Sequence, residues 1–343
     1  MTSIARKAAA APKIRTWLYL VAFLVFCMVL IGGATRLTDS GLSITEWQLV
    51  MGALPPLSEA DWIAAFDKYQ LSSEFRLQNA AMTLAEFRPI FWWEWAHRFL
   101  GRVIGVVFLA PFLWFLVMRR LSRALFLRLI VIFILGGLQG GLGWYMVSSG
   151  LVNRVDVSQY RLAAHLTLAA AIFAALIWTA FGVGRQRGWP SAYDSWIAVL
   201  IILVVLLQIA AGAFVAGLDA GLANADWPKM GGKWIPDGLL IMQPDWKNLF
   251  ENALTVQFDH RMIGYAVFVI AVYHAWRTVS LAAVALVYLI VVQIGLGVLT
   301  LWFGVPLSLA LAHQAGAMLV LLAALNNLQR RLEYAAAPGI VQA

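Results

Sequence analysis

Residues 32–47 read Gly32-Gly33-Ala34-Thr35-Arg36-Leu37-Thr38-Asp39-Ser40-Gly41-Leu42-Ser43-Ile44-Thr45-Glu46-Trp47. A second version stands at 212–227, Gly212-Ala213-Phe214-Val215-Ala216-Gly217-Leu218-Asp219-Ala220-Gly221-Leu222-Ala223-Asn224-Ala225-Asp226-Trp227. Both keep a glycine, Asp-x-Gly-Leu, an acid and a tryptophan in one register. Two more matches occur in the same order. His97-Arg98 with Gly101 corresponds to His260-Arg261 with Gly264, and Gln139 to Gly143 shares Gln-x-Gly-Leu-Gly with Gln293 to Gly297. Three matches in one order mark an internal duplication. The halves run over 16–182 and 195–329, joined by the segment around Gly184 to Asp194.

Working outward, the composition sets the class. Of 343 residues, 62% are hydrophobic and only 12% charged, too few polar groups to cover a water-soluble fold of this length. Apolar runs of roughly 18 or more residues recur, each long enough to cross a bilayer. They predict an all-α membrane protein with eight transmembrane helices at about 16–35, 91–118, 125–146, 159–182, 195–217, 256–276, 280–302 and 307–329. The first run follows Arg6, Lys7, Lys13 and Arg15 as in a signal peptide, but its repeat at span five argues for a true span. Four spans per half preserve orientation. The expected architecture is therefore two tandem four-helix bundles related by a pseudo-twofold axis along the membrane normal.

Basic residues concentrate in the segments that lie inside when both termini are inside, among them Arg119, Arg120, Arg123, Arg128, Arg185, Arg330 and Arg331. This is the positive-inside pattern, and it fits a bacterial inner membrane with both termini cytoplasmic better than a mitochondrial inner membrane. The net charge of +8 is thus a topology signal, and no basic loop is long enough to form a nucleic-acid surface. Cys27 is the only cysteine, which excludes an intrachain disulfide or a cysteine-ligated metal cluster. Two outer connections, about 36–90 and 218–255, are rich in Trp and Pro (Trp47, Trp62, Trp227, Trp234, Trp246). They read as lids at headgroup depth that can also roof a cofactor.

Four of the five histidines hold matching positions. His97 and His260 lie a few residues into spans two and six; His165 and His313 lie a few residues into spans four and eight. All enter from the outside. An imidazole at that depth needs a partner, and two facing imidazoles in a helical bundle can ligate a heme iron. Hydrogen-bonded packing is the alternative for any single one. Small residues at i+4 (Gly101, Ala169, Gly264, Ala317) share the ligand face and suit a flat ring or close helix packing. A copper or zinc centre would need more ligands than two histidines per half supply. His274, at the inner end of span six near Arg277, has no counterpart and reads as an interfacial residue.

The halves differ beside the first histidine. Glu94 and His97 share a helical face, whereas the second half has Gln257, an amide that cannot shuttle protons. Glu94 can act as an acid or base or orient an imidazole. Arg98 and Arg261 point toward the outer surface, where a heme's propionates would lie, or snorkel to the interface. Arg36 aligns with Ala216 and is a further contact candidate of the first half.

With these residues in view the chain resembles the heme A synthase family over essentially its whole length. The resemblance rests on Glu94-x-x-His97-Arg98, His260-Arg261, His165, His313 and the Asp-x-Gly-Leu segments. It implies oxidation of a methyl group of heme O to a formyl group, giving heme A for terminal oxidase assembly. Two successive oxidations of the methyl carbon would be followed by loss of water from the gem-diol. It further implies that His97 and His165 hold the substrate heme, that His260 and His313 hold a resident heme b, and that Glu94 is the essential carboxylate. Heme O would come from heme O synthase, and an electron-transfer partner is required. The cysteine pair of some bacterial members is absent, which places the chain with the proteobacterial and mitochondrial type. A diheme b-type electron-transfer cytochrome and a non-catalytic heme carrier are the rival readings. All four histidines at one face argue against electron transfer across the bilayer.

Overall fold

The computed structural model describes residues 3–46, 51–150, 155–185 and 193–336; Trp47 of the repeated segment lies outside them. The described residues form eleven α-helices and short 3-10 turns, and contain no strand. Eight helices are long: α1 Ser3–Leu37, α4 Leu84–Val117, α5 Arg123–Val147, α6 Gln159–Gly182, α7 Tyr193–Gly217, α9 Ala253–Thr278, α10 Leu281–Trp302 and α11 Leu307–Ala336. Three short helices sit in the two longest connections, α2 Glu59–Gln70, α3 Ser73–Leu77 and α8 Asn248–Glu251.

Seven of the long helices are apolar enough to cross a membrane; α9 is not. It has the length, but Asp259, His260, Arg261, His274 and Arg277 interrupt its apolar run. Helix α1 begins well before residue 16, because the alanine-rich segment 8–11 propagates helix through the basic N-terminus.

Helix starts follow side-chain capping. Ser122 accepts from Leu125 N–H and Ser280 from Ala283 N–H, while Thr83 and Glu86 form a reciprocal capping box. The ends of α1 and α7 explain the repeated aspartate. Asp39 and Asp219 each turn the chain out of helix at φ 48°, a left-handed conformation that aspartate tolerates better than most residues.

Packing is regular. Helix α1 contacts α4 and α6, and α5 contacts the same two, closing a cycle. Helices α7, α9, α10 and α11 make the matching cycle, with α7 against α9 and α11, and α10 against the same pair. The cycles meet through α6 on α7, α1 on α11 and α6 on α11. Leu18, Ala170, Leu176, Ala180, Leu321 and Ala324 are fully buried along these contacts. Helix α5 instead leaves Leu127, Val131, Phe133, Ile134 and Leu138 exposed, a surface suited to acyl chains.

The first long connection folds as a cap with its own small core. Trp62, Tyr69, Phe87 and Phe91 are buried together, and α2 starts at a Ser58–Asp61 capping box. Trp62 is therefore a core residue of the cap, whereas Trp227, Trp234 and Trp246 of the second connection are exposed.

Candidate functional site

The four matched histidines sit on α4, α6, α9 and α11, two in each cycle of helices. Each ring lies against a glycine of the neighbouring helix. A β-carbon would come within 3.0 Å of His97 Cε1 at Gly32, of His165 Cε1 at Gly143 and of His260 Cε1 at Gly212, and within 2.9 Å of His313 Cε1 at Gly297. That is closer than packed carbons approach, so glycine is the residue that admits each ring. The rings of His260 and His313 face each other with centroids 6.4 Å apart and planes at 75°.

Three histidines also have a glutamine partner. Gln139 Nε2 lies 3.2 Å from His165 Nδ1 and donates to the His165 carbonyl at 3.1 Å. Gln293 donates to the His313 carbonyl at 2.8 Å and approaches the ring Nε2 at 3.5 Å. Gln208 Nε2 lies 3.3 Å from His260 Nε2. Sequence reasoning noted the repeated glycines and the Gln-x-Gly-Leu-Gly segments without giving them this task.

Glu94 is buried, with 3% exposure, and fully engaged. Its Oε2 accepts from Ser43 Oγ at 2.7 Å and Ile44 N–H at 2.6 Å, and its Oε1 accepts from Arg98 at 2.6 Å. Such a carboxylate is held in one orientation by charge-assisted bonds. Arg98 continues to the carbonyls of Ile44 at 2.7 Å and Glu46 at 2.8 Å. Arg261 does the same in the second copy, donating to Asn224 at 3.1 Å, Asp226 at 2.9 Å and Lys229 at 3.1 Å. The acceptors Asn224 and Asp226 align with Ile44 and Glu46. Both arginines thus tie the segment after Asp-x-Gly-Leu to the histidine helix. Gln257 donates to the Asn224 carbonyl at 2.9 Å where Glu94 accepts from the Ile44 N–H.

Arg36 reaches Asp39 at 3.1 Å, Asp219 at 2.9 Å and Asp156 at 4.0 Å. It joins the two copies of the repeated aspartate. His274, expected as an interfacial residue, packs inside the helices. It is fully buried, and Asn327 Nδ2 lies 3.0 Å from its Nε2.

The donor set fits a heme. A metal about 2 Å from one nitrogen of each ring separates imidazole centroids by about 6 Å, close to the spacing of His260 and His313. Buried atoms without partners gather here: Nδ1 of His260 and His313, and Oε1 of Gln139, Gln208 and Gln293. Among the described residues no cluster of three or more His, Cys, Asp or Glu is disposed around one metal ion, which is unfavourable for a zinc or copper centre.

The chain is similar to known proteins along most of its length. The family model described as COX15-CtaA, cytochrome oxidase assembly protein, matches residues 15–325. A protein named heme A synthase from Parvibaculum lavamentivorans is 51% identical over 310 residues, covering 89% of this chain and 90% of that protein. The heme A synthase of Bradyrhizobium diazoefficiens is 50% identical over 340 residues, covering 96% and 94%. That of Azorhizobium caulinodans is 51% identical over 329 residues, covering 93% and 94%. With the match running through every long helix, the chain belongs to the COX15-CtaA family of cytochrome oxidase assembly proteins.

Proposed function

We propose that this chain is a membrane-bound oxidoreductase that converts heme O to heme A by oxidising a ring methyl to a formyl group. The similarity to heme A synthases over most of the chain supports the reaction. One observation carries the assignment of its parts: three residues before its histidine α4 has a carboxylate, Glu94, where α9 has the amide Gln257. In this reading His97 and His165 bind the substrate heme O, and His260 and His313 bind a resident heme b, which supplies one-electron redox chemistry when bound. Glu94 takes up protons released as the methyl carbon is oxidised, with Arg98, Ser43 and Ile44 fixing its orientation. Arg98 and Arg261 bind the outer segments through backbone carbonyls and approach the propionates from there. Arg36, engaged by three carboxylates, serves as a clasp between the copies.

The same reading takes α9 as an eighth span. Its 26 residues suffice, and three of its polar residues, Gln257, Arg261 and His274, are buried. The two closed helix cycles support tandem four-helix bundles over 16–182 and 195–329. Arg119, Arg120, Arg185, Arg277, Arg330 and Arg331 at the short-connection end support an inner-membrane orientation with cytoplasmic termini. Heme O synthase delivers the substrate, and a separate electron carrier completes the cycle.

The test is expression in cells that make heme O but lack this activity, followed by heme extraction and chromatography. Formylated heme is expected from the wild-type chain. Glu94→Gln should retain heme yet lower product at least 100-fold. A folded, heme-loaded wild-type chain that yields no formylated heme would overturn the assignment, and an undiminished Glu94→Gln would return Glu94 to a purely orienting role.

A further inference from the structure

The histidine sites differ at a second position. In the register that aligns Gly32 with Gly212, Gln208 of α7 corresponds to Met28 of α1. The two side chains occupy equivalent places. Gln208 Nε2 is the atom nearest a β-carbon built at Gly264, at 3.2 Å, and Met28 Cε is the atom nearest one built at Gly101, also at 3.2 Å. Gly264 and Gly101 each lie four residues beyond their histidine, on its helical face. His165, His260 and His313 therefore have an amide within reach of the ring, whereas the place that Gln208 takes beside Gly264 is held in the first half by the Met28 thioether. Among the described residues no hydrogen bond reaches the His97 ring.

An iron-bound imidazole keeps one N–H to donate. Its acceptor fixes the ring's orientation and raises the basicity of the coordinating nitrogen. At the three other sites the glutamine atom nearest the ring is the amide Nε2, and each glutamine keeps a buried Oε1 without a partner. A half-turn of the amide brings that acceptor to the N–H of an iron-bound ring. A thioether is a weak acceptor by comparison. We infer that Met28 makes the His97–His165 site the exchangeable one: it offers no amide to take the N–H of a bound imidazole, as the glutamines beside the other three histidines can, so heme leaves this site faster than the site formed by His260 and His313. A site that must admit a substrate and release a product of nearly equal size gains from a weaker axial ligand. The inference rests on the proposed pairing of His97 with His165 as the substrate site.

The test uses the full chain, purified in detergent with its bound heme, and follows heme transfer to excess apomyoglobin. Wild type should lose heme in a fast and a slow phase. Met28→Gln should slow the fast phase about tenfold, the lower end of the effect of such partners on metal retention. Gln208→Met should accelerate the slow phase by a similar factor, and Met28→Leu should leave both unchanged. His97→Ala identifies the fast phase by removing it. If His97→Ala removes the fast phase but Met28→Gln alters it less than twofold, the inference fails. If Met28→Gln does not fold, a slow phase unmoved by Gln208→Met overturns it equally. If His97→Ala leaves both phases intact, the assignment of the first histidine pair is itself wrong.

Discussion

Glu94 and Gln257 hold the same place on their helices, and both bind the segment that follows Asp-x-Gly-Leu. The amide anchors that segment as a donor, and the carboxylate does so as an acceptor. Anchoring alone therefore does not require an acid at residue 94, which is why the difference between the halves points to proton chemistry. The glycines behind the histidines can be tested in the same way. Gly297→Ala puts a β-carbon 2.9 Å from His313 Cε1, so the ring must shift and the chain should be purified with less heme. Gly105 faces open space, and Gly105→Ala should keep full heme content while gaining up to about 1 kcal/mol of helix propensity. Heme per chain, measured for both variants, separates steric displacement from a general intolerance of alanine. Equal losses would show that the glycine contacts carry no information about the site.

Among the elements, the cap formed by α2 and α3 carries a group with its own pH dependence. Glu74 is buried with one carboxyl oxygen unpartnered, and burial pushes its pKa from 4.5 up to about 8. The Tyr69 hydroxyl, which accepts from Asn79 at 2.8 Å, donates to it and offsets part of that rise. Between about pH 4.5 and 8 the folded cap holds a proton that the unfolded chain has released. Cap stability should therefore fall as pH rises through that window, by at most about 1.4 kcal/mol per unit. Glu74→Gln should remove the slope. Amide exchange in α2 and α3 is compared between wild type and variant at each pH: protection should match near pH 5 and diverge toward pH 8, and parallel profiles would count against a buried neutral acid. Beyond its tryptophans, no pattern in residues 36–90 announces this cap's core, although Ser58 and Asp61 mark a helix start. The long helices were legible because apolar runs report burial directly. Helix α9 reads as one more apolar run at 256–276, but its polar residues dilute its hydropathy below that of the other seven. The histidines stood out by duplication. Their glycine and glutamine neighbours did not, because which helix lies beside which is a tertiary fact. For the same reason Arg98 and Arg261 could be read as basic groups at the right depth, while their backbone-carbonyl partners could not.

At the scale of the whole molecule, Arg36 is where the two copies of the repeat meet in a single side chain. Its counterpart is Ala216, so one arginine serves both aspartates: Asp39 of its own copy and Asp219 of the other, with Asp156 nearby. The side chain of Arg36 is 16% exposed, but those of Asp39 and Asp219 are 66% and 61% exposed. Solvent therefore screens the pairs, and the clasp is worth no more than about 1 kcal/mol. Removing it leaves three carboxylates close together at one end of the helices, where their mutual repulsion opposes docking of the copies. Arg36→Ala should lower the thermal midpoint in low salt by a few degrees. Roughly 0.5 M salt, with a Debye length well below the reach of the cluster, should close most of the gap to wild type. A double variant, Arg36→Ala with Asp219→Asn, should recover part of the loss without added salt, because one repelling charge is gone. Melting followed by intrinsic fluorescence in detergent at both ionic strengths decides the matter. A deficit independent of salt and unrelieved by Asp219→Asn would mean that Arg36 acts through packing of its stem, and the electrostatic link between the copies would have to be given up.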